Sequence, residues 1–377
     1  NICDAAGTCE VKYWVSFYDP DGDGNDCDGS WNDPDCWSYT SGGTGGAGQP
    51  ADTENAIFDA NSFDPPHTTV TIDANNAQCK NMTWTGVTNN PVFQRSGGNQ
   101  NNRRLQIHGS LTLSADMNWN FDADVDFVGA GNFTITSAGH EFRRPVRFNN
   151  AGGEWVLQDN MQLVNSDQGI LELEAGTLNT NNQTVTVHKL NANLGGSVTT
   201  LELTGSTLVL EGRNFGVMDL RGAGFTLNAG TSTIIFNNQD ASGTNYNLGV
   251  ELGNVQRNFH NIVLSGPPTL QNRLIFRNGD ASITYTFNNI TVEENKQIRF
   301  EEAIEVNGTV NVANDCSQFF TEDGAVFHGD VTFGTGAQGV DFNNTTRFNS
   351  TLTINRTAAI NGAVRFSGNN YFGDGTG

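Results

Sequence analysis

The chain keeps a six-residue phase near its C-terminal end, and that phase leaves few folds open to it. From Gly339 it divides into GVDFNN, TTRFNS, TLTINR, TAAING, AVRFSG and NNYFGD. The fourth positions are Phe342, Phe348, Ile354, Ile360, Phe366 and Phe372, and the second are Val340, Thr346, Leu352, Ala358, Val364 and Asn370. Asn343, Asn349, Asn355 and Asn361 follow at the fifth. Positions two and four of such a unit point to one face of a short strand. The Asn or Gly behind them tolerates the tight backbone of a corner. Gly324–Thr335 and Gln297–Asn314 share the frame, the former offset by the insertion Gly336-Ala337-Gln338. If three units close one coil, each coil rises by one strand spacing of about 4.8 Å and Phe and Ile stack into an inner ladder. An antiparallel sandwich would not hold a six-residue phase through its hairpin loops.

Upstream the phase loosens. Leu105/Ile107, Leu111/Leu113 and Met117/Trp119 step by six, Val125/Phe127 and Phe133/Ile135 by eight, and later pairs such as Leu208/Leu210 and Ile234/Phe236 irregularly. No apolar pattern has a helical period. The expected fold is therefore all-β: a parallel β-helix, or β-solenoid, with uneven coils. The hexads resemble those of left-handed hexapeptide helices. The uneven coils of the main body favour a right-handed helix there. Three segments are expected: a Cys- and Asp-rich entry module over 1–50, an irregular solenoid over 51–296 and a hexad solenoid over 297–377.

Charge narrows the function. The chain carries 41 acidic and 19 basic residues, a net −22 over 377 residues. Nucleic acids and anionic membranes need a basic face, so neither is an expected partner. No apolar run approaches the roughly 18 residues of a membrane span. Asn1 is followed by no secretory leader, and Phe372–Gly377 stops in mid-pattern, so an internal piece of a longer chain is expected.

Cys3, Cys9, Cys27 and Cys36 crowd the start of the chain, with Cys79 and Cys316 beyond. That pattern points to an oxidising, extracellular or cell-surface location and local disulfides. Cys3–Cys9 and Cys27–Cys36 are the economical pairing among several. Between them, Asp19, Asp21, Asp23, Asn25, Asp26 and Asp28 alternate with glycines. Hard oxygens at alternate positions with a glycine for the turn suit calcium. Ser30 stands where an EF-hand carries its bidentate Glu, so the expected role is a structural staple, with a solvated acidic turn as the alternative.

Catalytic constellations are not evident. His67, His108, His140, His188, His260 and His328 are scattered without metal-protease spacing. His140-Glu141-Phe142-Arg143-Arg144 gathers acid, base and cation as a polysaccharide-cleaving β-helix would, yet the other carboxylates are spread along the chain. Glu301, Glu302 and Glu305 read as a solvated acidic edge. Sequons such as those at Asn81, Asn132 and Asn307 follow from Asn at a corner and Thr on the next strand. Thr-x-Thr pairs (Thr69/Thr71, Thr134/Thr136, Thr184/Thr186) do not recur at a fixed spacing.

Several stretches together resemble a family. Trp31-Asn32, Cys36-Trp37-Ser38, Ser41-Gly42-Gly43, Pro50, Asp52 and Ile57–Ser62 open the pattern. Val70–Asp73, Cys79–Gly86, Ile107–Leu113, Gly153–Asp159 and Gly176–Asn181 continue it over about half the chain. They resemble an opening module of giant repetitive surface proteins of gliding bacteria that use type IX secretion. The resemblance implies a non-catalytic adhesin or appendage: a rod-like stalk or filament attaching to surfaces, cells or prey. Partners expected on this reading are further copies of the chain and an extracellular glycan or cell-surface ligand. A carbohydrate-binding or carbohydrate-cleaving β-helix is the alternative.

Overall fold

The computed structural model describes, with their side chains, residues 11–16, 27–73, 77–97, 104–163, 168–194, 197–213, 215–238, 245–316, 318–335 and 339–355, and the backbone of strands 363–366 and 370–372. The described residues form short strands joined by corners, with one 3-10 turn at Pro34–Cys36 and no α-helix. Almost every strand pairs in parallel with a strand one coil away, which makes the fold a β-solenoid. The chain divides into two compact units, 1–179 and 180–377.

In the first unit the coils advance unevenly. Ala77 pairs with Leu105, Leu105 with Val125, Val125 with Val146 and Val146 with Leu171, so the step shortens after the first pair and lengthens again at the last. Strand Val146–Leu157 turns from one sheet face to the next without a break, its register shifting around Asn149. The first coil is closed differently. Strand Val11–Trp14 pairs in parallel with Asn55–Phe58 on one side and antiparallel with Trp37–Ser38 on the other. Behind it Trp14, Trp31, Trp37, Phe58 and Trp84 are all buried. The Trp14 and Trp37 rings meet edge-on at 5.2 Å, Phe58 stacks on Trp84 at 3.9 Å, and the Trp37 indole donates to the Trp31 carbonyl at 2.8 Å. Burial of these large aromatics is a strong local driving force. The antiparallel strand and this aromatic plug distinguish the first described coil from those that follow. A Cys27–Cys36 disulfide fastens the plug, as the economical pairing anticipated. Cys3 and Cys9 lie outside the described residues.

In the second unit the hexads become coils, though a coil is longer than three hexads. Ile298, Ile304 and Val310 keep the hexad step, but the next coil begins only at Phe319, past the place of a fourth hexad. The coil length is the same over two successive coils and longer on either side, where Leu274–Phe276 leads to Ile298–Phe300 and Val340 to Val364. Ile298 pairs with Phe319 and Phe319 with Val340, while Ile304 pairs with Ala325 and Ala325 with Thr346. Two corners of each coil are tight and the third is longer. The insertion Gly336-Ala337-Gln338 falls in that third connection, between Val331–Phe333 and Gly339–Phe342, so it belongs to the repeat rather than interrupting it. The inner ladder is as expected: Phe276 stacks on Phe300 at 5.1 Å and Phe327 on Phe348 at 5.1 Å, close to the strand spacing. The turn falls one position later than the hexads imply, since Asn344 takes φ +56°. Gly324 must be glycine: its φ is +97°, and a Cβ there would lie 2.5 Å from the Thr345 carbonyl.

Candidate functional site

Among the described residues, the densest array of ionisable groups lies on the outer face of the first unit. Strand Val125–Phe127 turns Val125 and Phe127 into the core, so Asp126 faces outward. One coil on, Arg147 occupies the same place in Val146-Arg147-Phe148, and one further, Glu172 in Leu171-Glu172-Leu173. Charge along this column therefore alternates minus, plus, minus. Arg147 Nη1 lies 2.7 Å from Asp126, its Nη2 2.7 Å from Glu172 and its Nε 2.9 Å from Glu174. Arg104 reaches Asp126 at 3.1 Å and Asp124 at 3.8 Å, and Arg144 lies 3.9 Å from Asp124. Three guanidiniums thus sit among four carboxylates, with Asp126 only 2% exposed.

Burial sets the protonation equilibria. It pushes the Asp124 carboxyl above its ordinary range, opposed by Arg147 and Arg104. Burial raises Glu174 in the same way, against the pull of Arg147. For Arg147 burial works towards neutrality, but Asp126 and Glu172 outweigh it and the group is held charged. A general acid or base must reach the substrate proton directly or through one water. Each carboxylate here is already engaged by an arginine. The Asp124 Oδ1 and Arg144 Nε atoms are sealed from solvent and have no hydrogen-bond partner. The arrangement ties three coils together along the stacking direction. The second unit repeats the device: Glu251, 3% exposed, lies 2.6 Å from Arg277, whose guanidinium rests 4.3 Å from the Phe215 ring.

The residues singled out from sequence fall apart in space. His140 contacts the Ser114 carbonyl at 2.8 Å, Arg143 donates to Asn120 at 2.9 Å, and Phe142 is core. Only Arg144 joins the charged cluster. Glu301 lies 3.5 Å from Arg299, Glu302 accepts from the Gly279 amide at 2.8 Å, and Glu305 pairs with His328 at 2.7 Å. Of the calcium ligand set, Asp28 alone is described: it accepts from the Ser30 amide at 2.7 Å, and its own amide donates to Asp33 at 2.9 Å. Asp19, Asp21, Asp23, Asn25 and Asp26 lie outside the described residues. Cys27, Asp33 and Cys36 converge within 4.8 Å, but the two sulfurs are bonded to each other, and a disulfide offers no thiolate to a metal.

The signal that sequence reading missed is the shared middle position of Val-Asp-Phe, Val-Arg-Phe and Leu-Glu-Leu. It becomes visible only once the unequal steps from Asp126 to Arg147 and from Arg147 to Glu172 are known.

Fold and site together define a β-solenoid in which side chains such as Arg147, Arg277 and Asn289 bridge neighbouring coils. No protein-family model, curated protein or solved structure matches the chain. No described helix is long and apolar enough to cross a membrane.

Proposed function

We propose that the chain is a non-catalytic structural and adhesive segment of a large secreted cell-surface protein. It serves as a stalk or filament for attachment to surfaces, cells or prey. The observation that carries this reading is the direction of the contacts. Phe stacks, Asn bridges such as Asn289 to Asn261 at 2.8 Å, and the Arg147 ion pairs all run from coil to coil. Side chains used in this way transmit load and leave little for chemistry. The likeness to type IX-exported surface proteins of gliding bacteria supports the same reading, as does the closed Cys27–Cys36 disulfide. Calcium held by the Asp19–Asp28 loop acts as a staple of the entry module. The partners are an extracellular glycan or cell-surface ligand and further copies of the chain.

A second reading, cleavage of an anionic polysaccharide, is favoured by the Asp124–Glu174 cluster alone. A glycan array combined with an absorbance assay for lyase products separates the two. Binding without turnover supports adhesion. Turnover that disappears in Asp126→Asn would overturn it. For calcium, chelation is expected to lower the melting temperature, and Asp21→Ala combined with Asp23→Ala to abolish the difference. An unchanged melt in chelator would remove the staple from the account.

A further inference from the structure

One outer sheet face of the second unit differs in charge from its neighbours. Its strands run Thr184–Val187, Thr207–Leu210, Thr233–Asn237, Asn261–Ser265, Asn289–Val292, Val310–Val312, Val331–Phe333 and Leu352–Ile354, each in parallel register with the next. The central outward column passes from Thr186 through Val209, Ile235, Val263 and Thr291 to Thr353 without one charged residue. These side chains are half-buried apart from Asn311, which stands exposed between Thr291 and Thr332. The neighbouring column, Thr184–Thr207–Thr233–Asn261–Asn289, is uncharged as well. Its asparagines already bridge along the stack. Asn289 donates to Asn261 at 2.8 Å and accepts from the Thr309 amide at 2.8 Å, and Asn261 donates to Thr233 at 3.4 Å. This second column continues through Thr309 to Asp330, so it is free of charge only as far as Thr309, and Glu211 and Glu293 flank the central column on its other side. The other sheet faces carry Arg277, Arg299, Glu305 and Arg347 in their outward columns.

We infer that this uncharged, β-branched face is the surface on which a second copy of the chain docks, face to face. The inference rests on the self-association included in the proposed function and assigns it a place. Three arguments fix the occupant. A chain of net −22 repels its own copies wherever charges face each other, and this face is where they do not. The amides of Asn261 and Asn289 are already paired along the stack, so they lose little with their water, and the methyls of Val209, Ile235 and Val263 gain. Finally, a second copy shares the same strand spacing of about 4.8 Å, so rows of Val, Ile and Thr interdigitate over the whole length, as in a dry sheet-to-sheet zipper. Seven spacings give roughly 34 Å of contact. With two columns in width, the buried area is on the order of 400 Å² per copy, about half that of a standard stable interface. The pairing is therefore weak for an isolated chain and strengthens when many coils are aligned.

Sedimentation analysis from about 1 μM to about 1 mM chain tests it. Wild type is expected to show a reversible, concentration-dependent dimer. Val209→Lys, Ile235→Lys and Val263→Lys combined should weaken it at least tenfold. Val326→Lys, the same chemistry on a neighbouring sheet between Glu305 and Arg347, should leave it intact. Should the triple variant fail to show a wild-type circular dichroism spectrum, Thr291→Lys with Thr332→Lys on the same column replaces it, with the same expectation. Association that survives lysines on this face, or that is lost equally in Val326→Lys, overturns the face and leaves the proposed function standing. A strict monomer at every concentration overturns both the face and the self-association, while adhesion is judged separately by the glycan array.

Discussion

At the residue scale, three buried cations show how irregular corners are held. Lys296 is fully buried and gives its three ammonium hydrogens to the carbonyls of Pro267, Leu270 and Glu294, at 2.9, 2.9 and 3.1 Å. Arg257 does the same for Phe225, Leu220 and Gly222, and Lys12 for Ala47 and Gln49. A corner that loops out of the coil leaves carbonyls pointing inward, and an ammonium or guanidinium satisfies several at once. Burial lowers the Lys296 pKa, so the charge is held at a cost that the three hydrogen bonds offset. Lys296→Met is of similar length but leaves the carbonyls without a donor. It is expected to cost roughly 2–4 kcal/mol in a urea titration. A variant as stable as the wild type would mean that the corner satisfies its carbonyls by other means.

At the scale of the strand and sheet, the buried Asp124 carboxyl beside the Asp126–Arg147–Glu172 column makes stability depend on pH with a definite sign. The folded-state pKa of Asp124 is raised, chiefly by burial, above its ordinary 3.8. Between those two values the folded protein binds more protons at this site than the unfolded chain does. Its contribution to stability therefore grows as pH falls through the folded value and is complete below the unfolded one. Asp124→Asn removes that slope. Urea titrations from neutral pH downward should show wild type gaining on the variant as pH falls, and a gap that stays constant or shrinks would refute the assignment. Sequence made the strands legible because alternation alone marks Val125/Phe127 or Leu208/Leu210 as inward pairs. It did not make the cluster legible. Asp126, Arg147 and Glu172 meet only through coils of unequal length, and a corner of variable length leaves no local signature. The same blindness hid the Thr and Asn ladders: Thr184/Thr186 has its counterparts at Thr207/Val209 and Thr233/Ile235, beyond the reach of any fixed period.

At the scale of the whole molecule, each unit is a stack in which a coil touches only its neighbours, so stability is close to a sum of coil and interface contributions. The hexad and the coil then make opposite predictions about deletions. Excising Gln297–Ser317 removes one whole coil and brings Gln318 to the place of Gln297, with which it is already in register. Every downstream strand keeps its face, and Lys296 keeps its carbonyls. The shortened protein is expected to fold, with a β-rich circular dichroism spectrum and a melting temperature lower by a few degrees. Excising Ile304–Thr309 removes a single hexad, and the phase of the sequence is preserved. The coil, however, loses one of its three sides. Val310–Val312 is carried to the face of the strands that pair with Ile304–Val306, and each later strand is displaced in turn. The columns of Phe and of Asn would no longer meet their own kind, and the smaller deletion should be the more damaging, with loss of a cooperative melt and rapid proteolysis. Equal damage from the two deletions would mean that the hexad phase, rather than the closed coil, is the unit that this fold recognises.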